Sequence, residues 1–334
     1  MEGHKIKRED LLSSPVRDIT IRERMSISEF IECLENVGGF TAKKLWTAAK
    51  ILEDMLMDKD AVVFLSFPAA IMATGIRGVL VDLVKRGFVD VIITTCGTLD
   101  HDIARTLSEY FEGDFMTDDS LLRDLDIHRL GSVFVPMESY GKTIENFMRP
   151  ILKELYEDGC RCLSTRELSW EIGKKLNSER SLLTQCFIKK VPIYVPGISD
   201  GAVGSQIWLF KETHRDFIID VFKDEEELAD IIFEAKKTGA LMIGGGISKH
   251  HTIWWNQFRD GLDYAVYITT APEWDGSLSG ARIREAVSWG KVKQRAKYVT
   301  VEGEATVILP LLYAYVVDKI KERNIKNVLG GVNR

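Results

Sequence analysis

The heptapeptide EAVSWGK, residues 285–291, places an acid, a tryptophan and a lysine close together in the chain. Glu285 and Trp289 are four residues apart, so on a helix they share one face. A carboxylate beside an indole attracts an organic cation through its charge and through the cation–π effect. A lysine shielded from water against an indole loses proton affinity and becomes a usable amine nucleophile, the role considered for Lys291. The alternative is an ordinary helix end, with Gly290 left-handed and Lys291 at the surface.

The segment GGGISKHH, residues 244–251, follows an apolar run and precedes a predicted helix. Glycines at a strand-to-helix turn let the backbone approach a phosphate, and the helix N-terminus offers free N–H groups. The run begins like a dinucleotide fingerprint, but Lys249 stands in place of its third glycine. Adjacent histidines point in different directions and no carboxylate cluster completes a ligand set, so we predict no metal site. A hydrogen-bonding or general-base histidine is the better interpretation of His250 and His251.

Three further turns carry small residues and an acid or a hydroxyl group. Asp102 ends the stretch TTCGTLDHD, and Asp200 lies within PGISDGAVGS. Either aspartate suits the ribose hydroxyls of a nucleotide, although an aspartate that caps a turn is at least as common. Ser279, in the small-residue run 276–280, is a natural N-cap for a helix that would reach Trp289. We therefore expect a second anion-binding turn at the start of that helix.

The elements that position these residues alternate between apolar strands and helices from residue 61 onwards. Continuous apolar strands separated by helices indicate a mostly parallel, Rossmann-like α/β sheet with helices on both faces. In such a sheet ligands bind at the carboxyl ends of the strands, where the motifs above are found. We predict an N-terminal helical arm over 1–60 and one α/β domain over 61–325. The predicted strands are 61–67, 90–95, 132–137, 192–196, 240–243 and 264–270, and the predicted helices include 139–157, 223–237 and about 305–322.

Size and charge exclude several classes of protein. The chain has 334 residues and a net charge of −6, and no run of lysine or arginine tracks phosphates, so we predict no nucleic-acid partner. Five cysteines without a CxxC pair indicate reduced thiols in a cytoplasmic protein. The N-terminal stretch MEGHKIKRED lacks the apolar segment of a secretory signal. The most apolar segment, 61–76, contains Pro68 and is too short to span a membrane.

The ordered segments GGGISKHH, DYAVYITTA, WDGSLSGA and EAVSWGK resemble the deoxyhypusine synthase family. The similarity continues in GIRGVLVDLVKRGFVDVIITT, HRLGSVFVP and VPIYVPGISDGAVG, and it spans about residues 60 to 320. The short form DGSLSGA and the compact N-terminus resemble the archaeal branch of that family.

The resemblance implies a homotetramer with NAD-dependent sites at the subunit interfaces. It implies oxidation of spermidine, release of 1,3-diaminopropane, and transfer of the aminobutyl group through an imine on an enzyme lysine to one lysine of a translation initiation factor. By motif position the carrier is Lys291 and the base near the amine is His250, while Trp289 and Glu285 line the amine channel. The positions that match NAD-binding residues are Gly244, Gly245, Gly246, Thr95, Thr270, Ala271, Asp200 and Ser279.

Several positions depart from the family pattern. Ser205 stands where an aspartate usually holds one end of spermidine, and Leu278 replaces a second acid of eukaryotic members. Residues 68–70 read Pro-Ala-Ala in place of a Thr-Ser-Asn run that contacts the cofactor, and on the NAD side His101 replaces a glutamate and Glu304 an aspartate. Loss of a carboxylate that pairs with a desolvated ammonium costs on the order of 2–4 kcal/mol, enough to change which polyamine binds.

Three functions are therefore open from the sequence. The first is deoxyhypusine synthase itself. The second is a paralogous NAD-dependent aminoalkyl transferase with another amine donor or acceptor, such as a homospermidine synthase, which Ser205 and the Ala69-Ala70 pair favour. The third is a non-catalytic subunit that binds NAD and assembles with an active partner. The presence of both Lys291 and His250 opposes that third function.

Overall fold

The computed structural model describes residues 7–330. Within them the strands are β1 (Ala61–Ser66), β2 (Val91–Ile93), β3 (Phe111–Glu112), β4 (Ile127–Leu130), β5 (Val133–Pro136), β6 (Cys162–Leu163), β7 (Ile193–Tyr194), β8 (Ile218–Ile219), β9 (Lys237–Ile243), β10 (Leu262–Thr269) and β11 (Val292–Glu302). The helices are α1 (Arg8–Leu11), α2 (Ile27–Cys33), α3 (Ala42–Met57), α4 (Arg77–Lys85), α5 (Cys96–Leu107), α6 (Asp119–Asp124), α7 (Gly141–Glu157), α8 (Thr165–Leu176), α9 (Leu182–Lys189), α10 (Ala202–Thr213), α11 (Val221–Glu234), α12 (Gly246–Asn256), α13 (Glu285–Ser288) and α14 (Ala305–Lys319).

A six-stranded sheet in the order β11-β10-β9-β1-β2-β7 forms the centre of the fold, and every pairing in it is parallel. Strand β1 shows why both faces are covered. Its alternate residues Val63 and Leu65 enter one core cluster, whereas Val62 and Phe64 enter another. Because side chains of a strand alternate between faces, an unbroken apolar run is stable only between two layers of helices. The predicted Rossmann-like α/β class is confirmed.

The strand order reverses between β1 and β9. From β1 the chain moves outward through β2 to β7, and it then crosses back to β9 and continues through β10 to β11. Loops that leave neighbouring strands in opposite directions open a crevice at this point of a parallel sheet. The segment after β1 and the glycine run after β9 therefore form the walls of the main cleft.

Two predicted elements differ from the structure. The predicted strand 132–137 exists as β5, but it pairs antiparallel with β3 and β4 in a separate three-stranded sheet. The predicted helix 223–237 ends at Glu234, since Lys237 already pairs with Ala61 in the sheet. Strand β11 was not predicted, because it is an edge strand whose exposed and buried residues alternate irregularly.

The N-terminal helices join the same core as the sheet. Ile31 of α2 and Leu52 and Met55 of α3 belong to the cluster that contains Val63 and Leu65. The division of the chain at residue 60 stays a prediction. Among residues 7–330 no helix has both the length and the apolar character that crossing a membrane requires.

Candidate active site

Helix α13 ends in the pattern that the EAVSWGK motif predicts. The N–H of Lys291 donates to the carbonyl of Ala286 at 2.9 Å, and that of Gly290 donates to Val287 at 3.1 Å. These two bonds form a Schellman motif, and Gly290 has the positive φ of +69° that the motif requires. The side chains on either side of Gly290 have exposures opposite to those expected for a lysine and a tryptophan. Lys291 is only 8% exposed, whereas the indole of Trp289 is 66% exposed, so the lysine is not an ordinary surface residue.

Two indoles flank the amine of Lys291. Its Nζ lies 5.3 Å from the ring centre of Trp289 and 5.5 Å from that of Trp254. On the same helix as Trp254, one turn earlier, His250 stacks on that indole with ring centres 5.7 Å apart. Trp254 thus connects the two predicted catalytic residues, although it is not among the residues predicted from the sequence. Its four-residue spacing from His250 was the available signal.

His250 is suited to accept a proton. Burial lowers the pKa of its imidazole, and the positive charge of Lys291 lowers it further, with smaller contributions from His251 and Lys249. A neutral imidazole has a free nitrogen lone pair, which a general base requires. The neighbouring His251 lies elsewhere, with its Nε2 3.2 Å from the carboxylate of Glu225. In the described part of the chain, no group of three or more histidine, cysteine, aspartate or glutamate residues could hold a metal ion.

The glycine run forms the predicted strand-to-helix turn. Gly244 and Gly246 have φ of +64° and +67°, which side chains disfavour, and α12 begins at Gly246. A Cβ atom on Gly245 would lie 2.2 Å from Oγ of Ser279 and 2.4 Å from its Cα. Position 245 therefore requires glycine for close packing between two loops.

Ser279 has a different role from the one predicted. It is not an N-cap, because α13 begins only at Glu285 and Arg284 precedes it. Instead the carbonyl of Ser279 accepts hydrogen bonds from the hydroxyl groups of Tyr267 at 2.6 Å and Thr269 at 3.0 Å. The expectation of a helix N-terminus at this turn is wrong, and the turn is held against the sheet by side chains.

Lys249 fastens the same turn from the other side. This residue is 2% exposed, and its Nζ donates to the carbonyls of Leu278 at 2.8 Å and Ala281 at 2.6 Å. The ammonium also lies 3.8 Å from the ring centre of Tyr267. Burial lowers the pKa of Lys249 to about 8. Lys249, which stands in place of the third glycine of a dinucleotide fingerprint, therefore has a structural role in holding this turn.

The main cleft, of about 1140 Å³, opens at the reversal of strand order. Its two walls approach closely, since a Cβ atom on Gly244 would lie 3.2 Å from Cγ of Pro68. Six of the nine predicted cofactor residues line it, namely Gly244, Gly245, Thr270, Ala271, Ser279 and Glu304. Gly246, Thr95 and Asp200 are not part of that lining.

Thr95 and the two candidate aspartates have separate surroundings. Oγ1 of Thr95 accepts the N–H of Ala69 at 3.1 Å and so supports the loop after β1. Asp200 is exposed in the loop after β7. Asp102 is fully buried and accepts from Ser181 and from the N–H groups of 182–183, so it caps α9 and the ribose-binding alternative for it is wrong.

The other two predicted substrate residues are also exposed. Glu285 opens α13, and Ser205 lies on α10, where its hydroxyl donates to the carbonyl of Gly201.

Among the departures from the family pattern, His101 is buried against Tyr110, with Nδ1 2.9 Å from the phenol oxygen, and burial lowers its pKa to about 4. Glu304 caps α14 through the N–H of Thr306 at 2.9 Å.

The fold and the site together define a Rossmann-like α/β enzyme with a largely buried lysine between two indoles. The family model for deoxyhypusine synthase matches residues 29–316. A relative from Picrophilus torridus, named "Probable deoxyhypusine synthase", is 57% identical over 307 residues, which cover 92% of this chain and 98% of the relative. One of the same name from Ignicoccus hospitalis is 48% identical over 95% of this chain and 100% of its own.

The chain belongs to the deoxyhypusine synthase family, and it is a transferase of that type. The fold also resembles the solved structure of a protein from Entamoeba histolytica assigned as a deoxyhypusine synthase. That likeness has a TM-score of 0.63 and 19% identity, and it covers 93% of this chain and 100% of the other.

Proposed function

We propose that the protein transfers the aminobutyl group of spermidine, in an NAD-dependent reaction, to one lysine of a translation initiation factor. The observation that carries this proposal is the position of Lys291. Its side chain is largely buried, its amine is flanked by two indoles, and it shares one of them with His250. An amine beside a proton acceptor is the arrangement that imine formation needs.

The main cleft fits NAD as the cofactor. Its volume of about 1140 Å³ accommodates a dinucleotide, and the N-terminus of α12 offers free N–H groups to a pyrophosphate. Only glycine fits at position 245, so backbone atoms form this part of the cleft wall. Gly244, Gly245, Thr270 and Ser279 would hold the cofactor, which would supply a hydride acceptor. Gly246, Thr95 and Asp200 are proposed as further contacts on the resemblance alone.

The protein's own residues have distinct roles in this reaction. Glu285 and Trp289 receive the polyamine by charge and by the cation–π effect. His250 accepts the proton that leaves the secondary nitrogen of spermidine while the adjacent carbon of the butyl chain gives up a hydride, so that a carbon–nitrogen double bond forms. Nζ of Lys291 then bonds to the same carbon, and the bond from that carbon to the departing nitrogen breaks, releasing 1,3-diaminopropane. The aminobutyl group remains on Lys291 as an imine until the nitrogen of the acceptor lysine bonds to that carbon and the bond to Nζ breaks. The hydride removed in the first step then returns to the carbon, which leaves a secondary amine on the acceptor.

We also propose a homotetramer. Large apolar side chains are exposed in the single chain: Trp274, at 88%, Trp289 and Phe258. Surface of this kind is typical of subunit interfaces. Light scattering on the purified protein measures the assembly directly.

A paralogous aminoalkyl transferase is the second candidate, because the carboxylate expected at position 205 is absent. The Ser205 hydroxyl bonds its own helix, and Leu278 offers an apolar side chain where eukaryotic relatives have an acid. A transfer assay separates the two candidates. The protein, NAD and the initiation factor are incubated with spermidine, putrescine or agmatine, and the modified lysine is mapped by mass spectrometry. We expect modification with spermidine; modification only with another amine, or of another small amine, supports the paralogue instead.

A further inference from the structure

We propose that Trp254 is a specificity-determining residue for the amine donor. With Trp289 it forms a cage of two indoles around Nζ of Lys291, where the donor reacts. The inference deepens the proposed function and rests on it. The class of ligand is a cationic aliphatic amine, and π faces near Lys291 hold it in place of the carboxylate that is absent at position 205.

The geometry places Nζ of Lys291 within cation–π range of two rings. The distances to the ring centres of Trp254 and Trp289 are 5.5 and 5.3 Å, and such contacts act within about 6 Å. The two indoles come from different elements, α12 and the end of α13. The indole of Trp254 is 43% exposed, so part of it stays open to an incoming ligand.

The surroundings of the Lys291 amine favour stabilisation by the two rings. Across residues 7–330, Nζ of Lys291 has no hydrogen-bond acceptor and no carboxylate within 4.0 Å, although the residue is more than nine-tenths buried. A partly desolvated cation without a counter-charge gains from other groups that stabilise it. The quadrupoles of the two rings are the groups in place to do so for the lysine and for a cationic imine on it.

A cage of indoles recognises a different part of the amine donor than a carboxylate does. A carboxylate selects a nitrogen by hydrogen-bond direction, whereas an indole face attracts the cation together with its flanking methylene groups. Because Ser205 supplies no charge, Trp254 takes a larger share in the binding of the donor. Its loss should weaken donor binding and leave cofactor binding unchanged, because the indole is not part of the cleft lining.

Trp255 provides the matched control. It is the next residue on α12, but its Nε1 donates to the carboxylate of Glu225 and its ring packs against Phe258 and His251. A change at Trp255 therefore removes the same bulk from the same helix without removing a contact to Lys291, and Phe258 is the neighbour that both indoles share.

The test compares Trp254→Phe, Trp254→Leu and Trp255→Leu with the unchanged enzyme in the transfer assay, with separate KM values for spermidine and NAD. Circular dichroism and thermal unfolding establish that each variant folds. We expect Trp254→Leu to raise the spermidine KM about tenfold at constant NAD KM. Trp254→Phe should remain within about threefold because it keeps a π face, and Trp255→Leu should leave both KM values unchanged.

Three outcomes would overturn the inference. An unchanged spermidine KM in Trp254→Leu contradicts it, and so does an equal loss in Trp254→Phe, which would assign the effect to bulk. If Trp254→Leu does not fold, the Phe variant decides, and a change of more than about tenfold in its spermidine KM contradicts the cage. An unchanged enzyme that transfers no amine at all refutes the proposed function, whereas activity with an insensitive Trp254 refutes only this inference.

Discussion

Gly245 packs directly against Ser279, so that a Cβ atom at position 245 would lie 2.2 Å from the serine Oγ. Gly245→Ala should therefore push the two loops of the cleft apart. We expect a loss of about 1–3 kcal/mol in the free energy of unfolding and a raised NAD KM, measured by chemical denaturation and by steady-state kinetics. The control is Gly78→Ala in α4, where the added Cβ has no heavy atom within 4 Å. That variant should be neutral or slightly stabilising. Equal behaviour of the two variants would refute the packing argument.

Lys291→Ala should abolish transfer while NAD binding stays nearly intact. The side chain is the proposed carrier, but it is not part of the lining of the main cleft. Transfer is followed by mass spectrometry of the acceptor, and NAD binding by calorimetry. Lys293→Ala serves as the control, because that lysine is two residues further along and bonds Asp263 at 2.6 Å instead. Surviving transfer in Lys291→Ala would remove the carrier role from this residue.

Lys249 should make stability depend on pH in the alkaline range. Its pKa is lowered to about 8 in the folded protein, from an ordinary value of 10.5. Between these values the unfolded chain binds the proton more strongly, so the contribution of Lys249 to the free energy of unfolding rises with pH, by on the order of 3 kcal/mol.

Chemical denaturation of the unchanged protein and of Lys249→Met at several pH values from 7.5 to 10.5 measures this contribution as the difference between the two. Other groups whose pKa values are raised by burial, such as Cys96 and Tyr264, act in the opposite direction in both proteins and cancel in that difference. A variant that keeps the full dependence would show that another group titrates. Because Lys249 holds the turn that carries Ser279, we also expect the variant to raise the NAD KM.

Ser205→Asp should tighten spermidine binding. The hydroxyl is exposed on α10 and bonds only its own helix, so a carboxylate at this position is free to meet an ammonium group. We expect the spermidine KM to fall severalfold while kcat changes little, which steady-state kinetics measures. Thr213→Asp adds the same charge at the far end of α10 and controls for a general electrostatic effect. No improvement in Ser205→Asp would place the amine elsewhere.

The parallel sheet was predictable because its inner strands are unbroken apolar runs, which only a sheet covered on both faces can bury. The sheet to which β5 belongs was not predictable, because the sequence of an apolar hexapeptide does not indicate which strand it pairs with. The role of Ser279 was misjudged for a similar reason. A serine before a helical pattern looks like a cap, but its carbonyl is bound by Tyr267 and Thr269, which lie ten or more residues earlier in the chain.

Part of the amine site was likewise predictable from the sequence and part was not. Lys291, Trp289 and His250 lie in short motifs, and their residue types and spacing already indicate amine chemistry. Trp254 was not predicted because its contact with Lys291 joins residues 37 positions apart, and tryptophans on a helix are more often core than site. Only the fold places it beside the lysine.

Trapping of the covalent intermediate tests the central claim most directly. The purified protein is incubated with NAD and spermidine at alkaline pH without an acceptor, reduced with borohydride, and digested for mass spectrometry. An aminobutyl group on Lys291 is the predicted result. An adduct formed only with putrescine or agmatine would replace the donor and support the paralogue. An adduct on a different lysine, or none with any amine despite bound NAD, would contradict the assignment of Lys291 as the carrier.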